Sequence, residues 1–200
     1  MRVATMAAMA LLCGGCDPVT MGVGAGASLA ANALFGDSKM TQVAREAYQH
    51  ASTCAARPNG IPNGRIMLVV RTIGWYSYYP LPNGHGVAAE QGRSLVVVEY
   101  EIANPGDQDV LVNPARALLT DSDGKVAQEV SGVGGPQAGK VSPDDDATLS
   151  GGQSWQMLSV FEVPSGDYAL LVPSGRTADE PNPHRLVGCR FPGPAATPRS

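Results

Sequence analysis

The residue types able to do chemistry are few and scattered. Cys13 and Cys16 stand three apart in "ALLCGGCDPVT". A zinc site would need two more ligands close by, and the chain offers none before His50. His50, His85 and His184 are isolated, without H-x-H or H-E-x-x-H spacing. Asp144, Asp145 and Asp146 form an acidic run that could hold calcium weakly, but a solvated loop is the better reading. Asp121 and Asp123 precede Gly124 much as in a calcium loop. Placing Gly124 sixth puts Leu119 first and Val130 twelfth, where carboxylates are required. These residues therefore read as a hairpin turn. Gly134, Gly139 and Lys140 have P-loop spacing, yet Val141 stands where a Ser or Thr would hold magnesium. No G-x-S-x-G element is present. The expectation is a protein that is not an enzyme and uses no cofactor and no metal. The alternative is a metal-binding or hydrolytic protein with a loop-built site. It requires any two of His50, His85, His184 and the Asp144–Asp146 loop to converge in a cleft.

The context of Cys16 gives it a different role. Arg2 is followed by the apolar run Val3–Leu12, broken only by Thr5, and then by small residues. This order is that of a secretory signal peptide. The run is well short of the roughly 20 residues that span a bilayer. Leu12-Cys13-Gly14-Gly15 followed by Cys16 resembles the lipobox of bacterial lipoproteins. The resemblance implies removal of residues 1–15 and lipidation of Cys16. Each buried CH₂ contributes about 0.8 kcal/mol, so two or three acyl chains anchor stably where one does not. Asp17 by the same resemblance leans toward the inner membrane, although inner and outer membrane both stay open. A plain signal peptide cut nearby is the simpler alternative.

Residues 16–37 follow as a small-residue linker. Its stretch 19–36 carries no charge, and Gly22, Gly26 and Ala30 fall four apart. That spacing lets helices pack closely, so 19–36 could oligomerise or lie on the membrane. A flexible Gly/Ala linker is the plainer reading. The formal net charge is −4 with no basic patch, which argues against a nucleic-acid partner. Charged residues make up only 16%, which fits a body held at a surface or against a partner.

The remaining chain supplies the elements. Asp37 and Ser38 offer an N-cap, and Met40, Val43, Ala47, Ala51 and Cys54 recur at helical spacing. A helix is expected over residues 38–58, docking by a face of small residues. From residue 61 the period becomes two. Strands are expected at 65–79, 94–104, 109–120, 125–130, 154–164, 167–172 and 185–191. In 94–104, Val96, Val98, Tyr100 and Ile102 should face the core, opposite Leu95, Val97, Glu99 and Glu101. Asp123-Gly124 and Ser165-Gly166 read as hairpin turns. The 24 Gly and 16 Pro agree with many turns. Seven short strands argue for an all-β, immunoglobulin-like antiparallel β-sandwich over 61–191, preceded by one short helix. Residues 192–200 read as a disordered tail.

"LVVVEYEIANPGDQDVLVNPARALLTDSDGKV" and "LSGGQSWQMLSVFEVPSGDYALLV" carry a further pattern. A strand ends in Asn, a Gly/Asp turn follows, then a "TDSDGK" hairpin, then Gly151-Gly152 leading into a strand that ends "VFEVP". The pattern resembles the telokin-like, immunoglobulin-type domain of bacterial secreted proteins and lipoproteins, over about residues 65–173. The resemblance implies a sandwich and supplies no catalytic residues.

Two features remain. Trp75, Tyr76, Tyr78 and Tyr79 hold four of the chain's two Trp and six Tyr. On an unbroken strand Trp75 and Tyr79 would share one face, and Tyr76 and Tyr78 the other. One face should be core, and the other is a candidate for protein or sugar contacts. Cys13 leaves with the signal peptide and Cys16 carries lipid. An oxidising compartment then pairs Cys54 with Cys189, clamping the helix to the end of the sandwich. The functional expectation is a membrane-anchored lipoprotein of the bacterial envelope, facing the periplasm or exterior. Its domain would bind or help assemble another envelope component.

Overall fold

The computed structural model describes residues 37–56, 59–81, 85–113, 117–134, 146–179 and 185–194. The expected signal peptide, Cys16, the 19–36 stretch, most of the P-loop-like segment, Asp144, Asp145, His184 and residues 195–200 lie outside them.

The first element is helix α1 (Asp37–His50). Thirteen strands follow among the described residues. One sheet has the order β1 (Ser52–Thr53), β13 (Leu186–Phe191), β12 (Tyr168–Pro173), β8 (Leu118–Thr120). The second has the order β2 (Ile61–Asn63), β3 (Ile66–Tyr76), β6 (Arg93–Ala103), β11 (Ser154–Pro164), β9 (Gln128–Gly134). Two small pairs complete the set. They are β7 (Val110–Val112) with β10 (Ala147–Leu149), and β4 (Tyr78–Pro80) with β5 (Gly86–Ala88). Every pairing is antiparallel except β1 with β13. The described residues form an all-β sandwich of the immunoglobulin-like kind, preceded by α1.

The two large sheets stack around one core. The second sheet contributes Ile66, Leu68, Val96, Val98, Tyr100, Ile102, Trp155 and Phe161, and the first contributes Leu119, Leu170, Val172 and Phe191. The expected inward set of 94–104 is thus the observed one. Its outward set is split. Glu99 is exposed, and Glu101 takes a hydrogen bond from Arg71, the extra residue at a bulge in β3. That hydrogen bond, first among the causes, holds the Glu101 carboxyl below its usual range. Leu95 and Val97, however, are buried in a separate outer cluster beneath β4 and β5. The other outer face is covered as well. Leu118, Ala169 and Leu171 point away from the core and lie under Met40, Ala44 and Ala51. The layers run α1, four-stranded sheet, core, five-stranded sheet, and the β4–β5 arm.

Several expectations are corrected. The helix ends at His50; its inner face buries Met40 and Ala44, with Ala47 half-buried, Ala51 just beyond it completes the contact, and Ala44 takes the place given to Val43. Ser52 and Thr53, weak helix formers, instead pair in parallel with Cys189 and Arg190 at the sheet edge. Cys54 therefore sits in a short 3₁₀ turn, Cys54–Ala56, and not on the helix. Residues 109–120 form two strands in different sheets, β7 and β8. Likewise β11 and β12 do not make a hairpin, because the chain crosses from one sheet to the other at Ser165-Gly166. The Tyr168 hydroxyl donates back to the Pro164 carbonyl over 2.9 Å. A tyrosine bonding back across an inter-sheet corner fixes such a crossing.

Cys54 and Cys189 are joined, with Cα atoms 4.8 Å apart across 135 residues of sequence. Cys189 lies directly opposite Leu170, so it faces the core side of its sheet. The bond clamps the segment that follows the helix around the sheet edge. The helix itself is held by neighbours. Arg190, on the other face, lies 5.6 Å from the Tyr48 ring and donates to the Ala51 carbonyl.

Candidate functional site

The aromatic segment is divided between two layers. Trp75 faces the core, with ring centroids 6.2 Å from Tyr168 and 6.4 Å from Phe191. Tyr76 is on the opposite face of β3, directly across from Leu95. At Ser77 the strand breaks, and its carbonyl accepts the Ala89 N–H. The bend resets the alternation. Tyr79 does not share a face with Trp75, as an unbroken strand would require. It packs on the outer cluster with Leu81, Val87 and Ala89. Its ring lies 5.3 Å from that of Tyr76. Tyr78 then points the other way, out to solvent.

Among the described residues, the exposed large hydrophobics are Tyr76, at 42%, and Tyr78, at 56%. Two glycines explain how they sit. A Cβ added to Gly86, on the facing strand, would fall 2.1 Å from Cζ of Tyr78. One added to Gly74 would fall 2.4 Å from Cε2 of Tyr76. Each ring therefore leans over a glycine and occupies the space a side chain would take. Such aromatic–glycine pairs fill gaps in exposed strands. The arm is closed at its far end by the Leu81 N–H donating to the His85 carbonyl over 2.7 Å.

The other candidates separate in space. His50 ends α1, on the outer side of the four-stranded sheet, while His85 borders the arm on the outer side of the five-stranded one. Asp146 is not a solvated acid, since Arg176 grips its Oδ2 through Nε and Nη2, with Nε at 2.8 Å. The Asp121 carboxylate accepts the N–H groups of Asp123 and Lys125 at 3.0 and 2.9 Å. The Asp123 carbonyl accepts from Arg45 at 3.0 Å. Gly124, with φ of 83°, leaves no room for a side chain against the Thr41 carbonyl. The "TDSDGK" turn thus docks the helix. Among the described residues no group of three His, Cys, Asp or Glu could hold a metal ion.

No protein-family model matches this chain, and no curated protein matches it. Solved structures do. A candidate lipoprotein from Bacillus subtilis, YcdA, is 14% identical with a TM-score of 0.47, and the match covers 67% of this chain. This chain spans only 38% of that protein's length. An uncharacterized β-sandwich protein from Clostridium difficile is 11% identical with a TM-score of 0.37, covering 66% of this chain and 89% of its own. A protein from Listeria monocytogenes is 12% identical with a TM-score of 0.42, covering 68% and 81% respectively.

One group escaped the reading of the sequence. Glu129 on β9 lies directly opposite Phe161, so its side chain points between the sheets. Burial pushes its carboxyl up to about 7, against a lowering hydrogen bond from Ser159. Ser159 Oγ is 3.4 Å from the Tyr100 hydroxyl, whose own pKa is raised, chiefly by burial and then by Glu129. Ala127 packs against the same core two residues earlier, which was the available signal. Alternation places the two on one face but does not say that the face is inward. Among the described residues, no helix is long and apolar enough to cross a membrane.

Proposed function

We propose that this chain is a lipid-anchored protein of the bacterial envelope whose sandwich binds, or helps assemble, another envelope component through the β4–β5 arm. The observation that carries the reading is the exposure, among the described residues, of Tyr76 at the end of β3 and of Tyr78 on the arm. The Cys54–Cys189 bond fits an oxidising compartment. The lipobox-like run before Cys16 supplies the tether, and the telokin-like resemblance of residues 65–173 fits a two-sheet body. Nothing in this role calls for catalysis. The side chains that bind are held by the sheet, and the linker up to α1 sets how far they reach.

Photo-crosslinking in intact membranes tests this, comparing the native chain, Cys16→Ser, and the double variant Tyr76→Ser/Tyr78→Ser. The native chain should take up a fatty-acid label and give a discrete crosslinked product. Cys16→Ser should lose the label and move to the soluble fraction. The double variant should stay anchored and lose the product. Retention of Cys16→Ser in the membrane overturns the anchor, and an unchanged product from the double variant overturns the arm.

A further inference from the structure

We infer that the outer face of the arm is a stacking platform for a neutral, β-linked pyranose chain. This rests on the reading of the arm as the binding surface and names its ligand. Tyr78, Pro80, Gly86 and Ala88 share that face, since Tyr78 pairs with Ala88 and Pro80 with Gly86. Tyr76 adjoins it through its contact with Tyr79.

Three observations select the ligand class. The first is ring attitude. Each tyrosine leans over a glycine, so its ring lies along the strand surface while 56% of Tyr78 and 42% of Tyr76 stay exposed. A ring face is electron-rich. It therefore attracts the weakly positive C–H bonds that cover the flat side of a pyranose with equatorial substituents. The second is charge. From Thr72 to Ala89 the sequence holds no Asp, Glu, Lys or Arg. The segment itself therefore offers no charged side chain to a phosphate, a charged peptide or a charged headgroup; Glu99 and the Arg93–Glu162 pair stand on the neighbouring strands. The third is size. Two three-residue strands present a face of roughly 100 Å², taking about 3.3 Å per residue and 4.8 Å between strands. A stable protein interface needs about 800 Å² per partner. The platform matches one or two sugar rings, and each phenolic hydroxyl can both donate and accept a hydrogen bond.

Calorimetric titration of the purified full chain in detergent tests the assignment, with chitotetraose and cellotetraose as probes. Saturable binding of either is expected. Tyr78→Ala should weaken it about tenfold, the order of one lost stacking contact, while Tyr78→Phe, which keeps the ring face, should bind within about twofold. Gly86→Val is the sharper variant, because it removes no ring and only lifts Tyr78 off the sheet. It too should weaken binding about tenfold. Thermal melts on the same samples confirm that each variant is folded. Flat titrations with both probes overturn the proposal, as does binding that survives Tyr78→Ala or Gly86→Val. If crosslinking in membranes still depends on Tyr76 and Tyr78 while the titrations are flat, the arm binds a protein and only the glycan assignment fails. If the sugars bind and no crosslinked product exists, the platform stands and the protein-partner reading fails.

Discussion

The two sheets are each covered on the outside, but the coverings do opposite things. On the four-stranded sheet, α1 lays Met40, Ala44 and Ala51 on Leu118, Ala169 and Leu171. Small side chains let it approach closely. It is then fastened by Arg190 to the Ala51 carbonyl, by Arg45 to the Asp123 carbonyl, and by the disulfide just beyond it. Its outer surface is polar, with Lys39, Gln42, Arg45, Glu46 and Gln49 exposed. On the five-stranded sheet, the arm buries Leu95, Val97 and Val160 with its inner side chains and turns Tyr78 outward. No crosslink holds it among the described residues. One covering seals its sheet and shows polar groups to water. The other seals its sheet and still shows rings. A surface that leaves tyrosine bare after its structural task is done is the place to look for recognition.

The largest way to break this contrast is at the fastened side. Replacing both Cys54 and Cys189 by Ala removes a link across 135 residues. By the chain-entropy estimate such a loop is worth up to about 5 kcal/mol, and a measured loss of several kcal/mol in urea unfolding is expected. A loss under about 1 kcal/mol would mean that packing alone holds α1 and β1 in place.

A middle-sized effect comes from the layer between the coverings. Burial raises Glu129 to about 7, so the folded chain keeps a proton that the unfolded chain has released. Stability should therefore fall as pH rises from about 4.5 to about 7 and level off above that. Each pH unit crossed in that window costs about 1.4 kcal/mol, so the whole fall is at most about 3.5 kcal/mol. Glu129→Gln should flatten this slope and be the more stable protein at pH 8. Equal slopes in the two proteins would place the carboxylate in water.

The smallest effect belongs to the arm. Tyr76→Ser/Tyr78→Ser should change the unfolding free energy by about 1 kcal/mol or less, as exposed substitutions do. A loss of several kcal/mol would make the tyrosines part of the seal and erase the contrast.

Much of the sandwich was legible because its signals are local. The inward set Val96, Val98, Tyr100 and Ile102 follows from period-two alternation alone, and β11 and β13 fall within a residue of where β-branched and aromatic runs place them. The helix was legible in existence but not in extent. Periodicity carries it through Cys54, whereas the open edge of β13 draws Ser52 and Thr53 into pairing. The arm was legible as an aromatic cluster only. No local signal says that Ser77 breaks the strand, and that break decides which tyrosines face outward.

By itself the sequence determined the strand periods and the small-residue face of the helix. Those properties are written in neighbouring residues, where sterics and hydrophobic spacing act over a few positions. Tertiary structure alone decided which strands share a sheet. It sent β11 and β12 to opposite layers through the Tyr168 corner, and it hid Leu95 and Val97 under the arm. It also turned Glu129 inward. Burial on a second face depends on what arrives from far along the chain, and no window of sequence contains that partner.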